Sequence, residues 1–113
     1  VVRPELRKTT PEAEGWRLSR DVTGFQSMSC HTREDDTVAS GASPMQWVFS
    51  DGLASVSLFV EPFDPQRHGT EKSAVTGATH SLSRRIGAYW LTALGEVPPA
   101  TLKRFASALE RTR

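Results

Sequence analysis

The chain has 113 residues, 24% of them charged and 37% hydrophobic, and 14 Lys and Arg against 13 Asp and Glu leave a formal net charge of +1 at pH 7. That length supports one domain with a real core, and the near-neutral balance excludes the strongly basic field of a committed nucleic-acid-binding domain, so no nucleic-acid partner is expected. No stretch approaches the roughly 18 apolar residues of a membrane-spanning helix, and the single cysteine, Cys30, has no intrachain disulfide partner.

Residues 1–14 (VVRPELRKTTPEAE) are charged, carry two prolines and show no sustained periodicity. They read as an interdomain linker or the tail of a preceding domain, which leaves residues 15–113 as the folded unit. In residues 16–21 Trp16 and Leu18 alternate with Arg17 and Ser19, the period of a short strand. Residues 25–30 read as a second, serine-rich strand, and residues 31–44 (HTREDDTVASGASP), small and polar, as a loop.

Residues 45–60 (MQWVFSDGLASVSLFV) carry the clearest pattern. Asp51-Gly52 between two apolar runs predicts a two-residue type I′ hairpin turn, whose central residues both need positive φ. Pairing Ser50 with Leu53 then sets Phe49 opposite Ala54, Trp47 opposite Val56 and Met45 opposite Leu58. One face is apolar and the other small and polar, as a half-buried antiparallel pair requires. Asp51 is therefore a turn residue and not a catalytic carboxylate, and valine in place of Gly52 should destabilise the domain.

Residues 61–72 (EPFDPQRHGTEK), with two prolines and a glycine, read as irregular. Residues 78–84 and 89–95 form a second hairpin, joined through Arg85, Ile86, Gly87 and Ala88 by a loop longer than two residues, because β-branched Ile86 suits a positive-φ turn position badly. From Pro99 the period changes. Leu102, Phe105, Ala106 and Leu109 fall at i, i+3, i+4 and i+7, the stripe of an amphipathic helix, with Pro99 in its first turn and Arg111 and Arg113 at the negative pole of its dipole. With no strand–helix–strand crossover in view, the predicted class is α+β: a single antiparallel sheet built largely of hairpins, with one C-terminal amphipathic helix packed on one face.

Chemistry is sparse along this frame. His31, His68 and His80 have no metal-ligand spacing, and Cys30 and His31, being adjacent, point to opposite faces of a strand. Glu34-Asp35-Asp36 lacks the alternation and glycine of a calcium loop. No G-x-S-x-G elbow or P-loop is present, so no catalytic residue, metal or cofactor is predicted. The surplus lies in aromatic and basic residues: Trp47, Tyr89 and Trp90, with Arg84 and Arg85, are the candidate partner-binding set. Tyr89 and Trp90 are neighbours on a strand, so one of the two belongs outside the main core. A basic surface for anionic lipid or lipopolysaccharide is the alternative use of the arginines.

Two separated motifs carry more than composition does: SDGLASVSLFVEP at 50–62 and GEVPPATLKRFASALE at 95–110. In order and spacing they resemble the C-terminal domain of the RseB/MucB family, and the resemblance runs from about Gly15 to the end of the chain. Within them Ser50, Asp51, Gly52 and Leu53, and then Gly95, Glu96, Pro98, Pro99 and Thr101, read as the residues that set the fold. The resemblance implies a non-enzymatic regulatory domain in the periplasm of a Gram-negative bacterium. Its partners would be the periplasmic part of a membrane-spanning anti-sigma factor similar to RseA or MucA, which the protein shields from the site-1 protease, and its own large N-terminal domain of lipoprotein-carrier type. Lipopolysaccharide or lipoprotein would act on the full-length protein to relieve this negative regulation of the sigma-E envelope stress response.

Overall fold

Strand pairing across distant parts of the chain organises the computed structural model, which describes residues 5–34, 44–66 and 71–112. Among these, β1 (Glu5–Lys8), β3 (Gln26–Glu34), β4 (Met45–Ser50), β5 (Ser55–Pro62), β6 (Lys72–Thr76), β7 (Thr79–Ile86) and β8 (Tyr89–Gly95) form one antiparallel sheet in the order β1-β3-β4-β5-β8-β7-β6. A short helix α1 (Pro11–Glu14) leads into β2 (Trp16–Leu18), which pairs with β9 (Leu109–Arg111), and α2 (Pro99–Ala108) lies over β7 and β8. The class is α+β, as expected from the absence of crossovers.

Alternation along the strands sorts side chains between two faces. Met45, Trp47 and Phe49 on β4, Val56, Leu58 and Val60 on β5, and Leu91 and Ala93 on β8 all fall on the helix face, and all are buried. From above they meet Leu102, Phe105 and Ala106 of α2, joined by Trp16, Val22, Val97 and Leu109. The core is therefore a single layer between the sheet and α2.

The first hairpin keeps its predicted faces but not its predicted turn. Ser50 pairs with Ser55, Phe49 with Val56, Trp47 with Leu58 and Met45 with Val60, a shift of two residues from the expected register. A shift of two preserves which side chains face inward, whereas a shift of one would reverse them. The loop spans residues 51–54, and Gly52 alone has positive φ, at 95°, so the turn is not type I′. Asp51 explains the difference. Its carboxylate accepts from the Leu53 and Ala54 N–H groups at 2.8 and 2.7 Å, and the Ser50 hydroxyl accepts from Gly52 N–H at 3.0 Å. Side-chain caps of this kind organise the longer loop without two left-handed residues. These hydrogen bonds hold the Asp51 carboxyl below its ordinary range. Leu53, now outside the ladder, is 99% exposed.

Gly52→Val is still expected to be destabilising, by about 1 kcal/mol, for the left-handed conformation alone. A Cβ there would meet no heavy atom within 4 Å. Unchanged urea unfolding of that variant would mean that the loop adopts another conformation at no cost.

Other boundaries move for identifiable reasons. The second hairpin closes through two residues, Gly87 and Ala88, with Ile86 paired to Tyr89. Gly87 takes the positive φ, at 60°, in the first turn position, so Ile86 never occupies the site it would resist. Residues 31–34, expected in a loop, continue β3, because β1 pairs with all four and β4 with His31 and Thr32 from the other side. Glu34 is thus a strand residue, while Asp35 and Asp36 lie outside the described residues. Lys72, expected at the end of an irregular segment, opens β6, whose partner is β7 across the turn at Gly77 and Ala78. Upstream of Gly15, where the folded unit was expected to begin, β1 pairs with β3 and α1 carries its own stop and start signals. Thr10 Oγ1 accepts from Ala13 N–H at 3.2 Å, Pro11 opens the helix, and Gly15 closes it at φ 86°.

Leu109 is buried as the helical stripe predicted, yet it is extended and belongs to β9. The helix stops because its continuation finds a better partner: Leu109 pairs with Leu18 and Arg111 with Trp16, while Ser19 N–H donates to the Ala108 carbonyl at 2.7 Å. An Arg17–Glu110 ion pair joins the middle residues of this pairing. Arg111 consequently does not serve the helix dipole, and Arg113 lies outside the described residues.

The 95–101 segment turns the chain from sheet to helix. Gly95 is buried against Val56, Glu96 is exposed, Pro98 precedes the helix without a side-chain cap, and Pro99 opens it. Thr101 N–H donates to the Pro98 carbonyl at 2.9 Å, satisfying one of the amides that a helix start leaves unpaired.

Candidate partner-binding surface

The five candidate residues do not form one patch. Trp47, Arg84 and Tyr89 belong to the helix face, and Arg85 and Trp90 to the opposite, open face, since each pair of neighbours on β7 and β8 points to opposite sides.

On the helix face all three have internal partners. Trp47 is buried, its ring 4.6 Å from Phe49, and its indole N–H donates to Ser27 Oγ at 2.8 Å. Arg84 is half-buried and donates from Nη1 to the Ala106 carbonyl at 3.0 Å, where the last turn of α2 leaves carbonyls unpaired. Tyr89 meets the Trp16 ring edge-on at 5.2 Å, and its hydroxyl accepts from Arg111 Nη2 at 3.1 Å. Arg111 also donates from Nη1 to the Glu14 carbonyl at 2.8 Å, and its guanidinium lies 4.9 and 4.5 Å from the Trp16 and Tyr89 ring centres. A planar cation held over two rings gains cation–π attraction along with its hydrogen bonds. Arg111 thereby fastens α1, β8 and β9 together.

On the open face Trp90 is 6% exposed, covered by Phe63 with ring centres 5.9 Å apart. Arg85 lies over the Phe63 ring, its guanidinium 4.0 Å from the ring centre, while Arg85 Nε donates to the Gly87 carbonyl at 2.8 Å. Phe63 N–H reaches the Ala88 carbonyl at 2.9 Å. Arg85, Phe63 and Trp90 thus form a layered cluster at the end of the β7–β8 hairpin. The same face carries Val48, Phe59, Thr92 and Leu94, with Phe59 36% exposed and the others half-buried. Serines at 55, 57, 81 and 83 surround them, so the surface is flat, shallow and only locally apolar.

Phe63 and Phe59 were missed in the sequence. Phe63 sits in a proline-bearing segment with no periodicity, and Phe59 occupies the phase of β5 that the hairpin pattern assigns to small polar residues.

The nucleophilic and basic side chains of β3 diverge. Cys30 is buried on the helix face, and His31 is on the open face of the same strand. Burial, with the nearby carboxylates of Glu14 and Glu12, pushes the Cys30 thiol up from 9.0 to about 11, which keeps it protonated at neutral pH and poor as a nucleophile. His80 is half-buried on β7, and His68 lies outside the described residues. Arg84, Arg85 and Arg111 likewise form no common basic patch, because they point into three different environments.

Comparison with known proteins supplies what the geometry alone does not. A crystal structure of MucB in complex with MucA(peri) matches 88% of this chain at 25% identity with a TM-score of 0.71. A complex structure of Pseudomonas aeruginosa MucA/MucB matches 88% at 25% identity with a TM-score of 0.72. The chain spans little more than a third of the length of those two solved chains, 37% and 35%. A comparison with curated protein sequences gives no match. The family model for the MucB/RseB C-terminal domain matches residues 10–110, nearly the whole chain, and the protein belongs to that family.

Proposed function

We propose that this chain is the small binding domain of a periplasmic negative regulator of the envelope stress response. It recognises the periplasmic part of a membrane-spanning anti-sigma factor of the RseA/MucA kind and, with a larger N-terminal domain, shields it from site-1 proteolysis. The observation that supports this reading is the likeness over 88% of the chain to MucB solved in complex with MucA(peri). The role is non-enzymatic and requires no cofactor, in keeping with a buried, protonated Cys30 that points away from His31.

In this reading contact is made on the open face, by Arg85 and Phe59, with Trp90 and Phe63 as the rigid layer beneath Arg85. Trp47, Tyr89 and Arg84 act from behind, holding the sheet against α2. Aromatic and arginine anchors on a stiff support are the side chains that most often dominate a protein interface. The test is calorimetric titration of the folded chain with the periplasmic segment of its cognate anti-sigma factor. Saturable binding is expected, weakened about tenfold in Arg85→Ala and in Phe59→Ala, a change of about 1.4 kcal/mol, with the melting temperature unaltered. No binding by the folded wild-type chain would overturn the reading.

A further inference from the structure

A second surface lies at the far edge of the sheet. β6 is the last strand in the order, and every one of its five residues is exposed. Among the described residues it pairs only with β7, so its outer backbone N–H and C=O groups face no strand. Such an edge invites another strand unless proline, a bulge or inward-pointing charge blunts it. β6 pairs with β7 in unbroken register and contains no proline; Lys72 at its start is its only charge.

The edge also forms one wall of a cleft. α2 covers β7 and β8, and β6 projects past its flank. At the start of α2 the cleft, about 260 Å³, is lined by Val75, His80, Leu82, Pro99, Leu102 and Lys103. It continues along the helix between Ser73 and Arg84 on one side and Lys103, Ala106 and Ser107 on the other, while Lys72, paired with Ser83, turns its side chain to the open face of the same edge. Ser73, Leu82 and Lys103 line both parts, so the two are one continuous trough. Its floor is apolar, and Val75 at its lip is 60% exposed. Lys103 and Arg84 make its rim cationic. Among the described residues Glu71 is the one carboxylate lining it, and Oε2 of Glu71 already accepts from the Arg85 backbone N–H at 2.9 Å.

We infer that this trough takes an extended acidic segment that adds to the edge of β6, its apolar side chains turned down between Val75 and Leu102 near Lys103, and the carboxylates of its alternate residues on the opposite face beside Lys72. The backbone edge supplies the hydrogen bonds of strand addition, the apolar floor accepts alternate side chains, and the lysines choose the sign of the rest. The inference rests on the proposed function, because the segment is assigned to the periplasmic part of the anti-sigma factor, where it makes a contact separate from the open face.

Two probes are titrated in parallel, the anti-sigma periplasmic segment and a synthetic peptide of alternating Glu and Val, against wild type and a Lys72→Glu/Lys103→Glu double variant. Amide exchange of β6 is followed by NMR. The expected result is that the double variant, with an unchanged melting temperature, binds both probes at least tenfold more weakly and loses most of the salt dependence. Exchange at Ser73 and Val75 slows when either probe binds wild type. If the anti-sigma segment binds both proteins equally and leaves Ser73 and Val75 unaltered, the trough is not its site and the inference is overturned while the proposed function stands. If the peptide protects Ser73 and Val75 but the anti-sigma segment does not bind at all, the chemistry of the trough is upheld and the assigned partner is wrong. Protection that grows with protein concentration and without probe would identify a second copy of the chain as the occupant and overturn the inference.

Discussion

Phe105→Ala should cost this domain about 3–5 kcal/mol, the range for deleting a fully buried aromatic ring. Phe105 has no exposed surface, and it is the point at which α2 is keyed into the sheet: its ring centre lies 4.8 Å from that of Phe49 on β4 and 5.4 Å from that of Phe25. Those two neighbours come from the sheet and from the loop before β3, so removal of the ring leaves a void bounded by three separate segments that cannot all collapse into it. Against a total stability of the order of 5–15 kcal/mol, such a loss leaves a marginal protein. Urea unfolding followed by tryptophan fluorescence should give a much lower midpoint with an unchanged slope. A loss below about 1 kcal/mol would show that α2 is not held by this contact.

Gly95→Ala should also destabilise, by about 2–3 kcal/mol, although alanine ordinarily suits a strand interior better than glycine. The reason is a backbone already in the way. A Cβ at Gly95 would lie 2.5 Å from the Ser55 carbonyl oxygen and 3.3 Å from Val56 Cα, on the neighbouring strand. β8 is central, paired with β5 on one side and β7 on the other, so it cannot move from one without straining the other. The contrast with Gly52 is instructive, since there the space is open and only the left-handed φ of 95° resists a side chain. A melting temperature lower by about 10 °C is the expected readout for a domain of this size, and an unchanged or higher value would contradict the close approach.

How far the sequence led depends on what held each element. The inward faces of β4 and β5 were legible because Met45, Trp47, Phe49, Val56 and Leu58 alternate strictly, and burial enforces the alternation whatever the turn does. The turn itself was not, since Asp-Gly suggested a two-residue loop and the capping carboxylate of Asp51 selected a four-residue one. α1 carried readable signals, Thr10 and Pro11 before it and Gly15 after it, but four residues give no periodicity to draw attention. β1, β6 and β9 had almost nothing to read: β6 is wholly exposed, and β9 exists because Leu18 and Trp16 are waiting for it across the fold. Of the candidate surface, the residue types were legible and the face was not. Arg84 and Arg85 look equivalent in the sequence, yet one caps a helix and the other covers an aromatic ring.

The β2–β9 pairing has a kinetic meaning as well as a structural one. Arg17 and Glu110 face each other across 93 residues of chain, in a ladder of only three residues on each side. Bringing such distant ends together costs about 4 kcal/mol of chain entropy if nothing else has formed, more than three pairs can return. Once the hairpins and α2 are in place that separation has already been closed by other contacts, and the same ladder becomes favourable. The Arg111 stack on Trp16 and Tyr89 therefore adds to a long-range contact whose chain-closure cost the rest of the fold has already met. Pairing of β2 with β9 is thus a product of the finished sheet and not a step toward it.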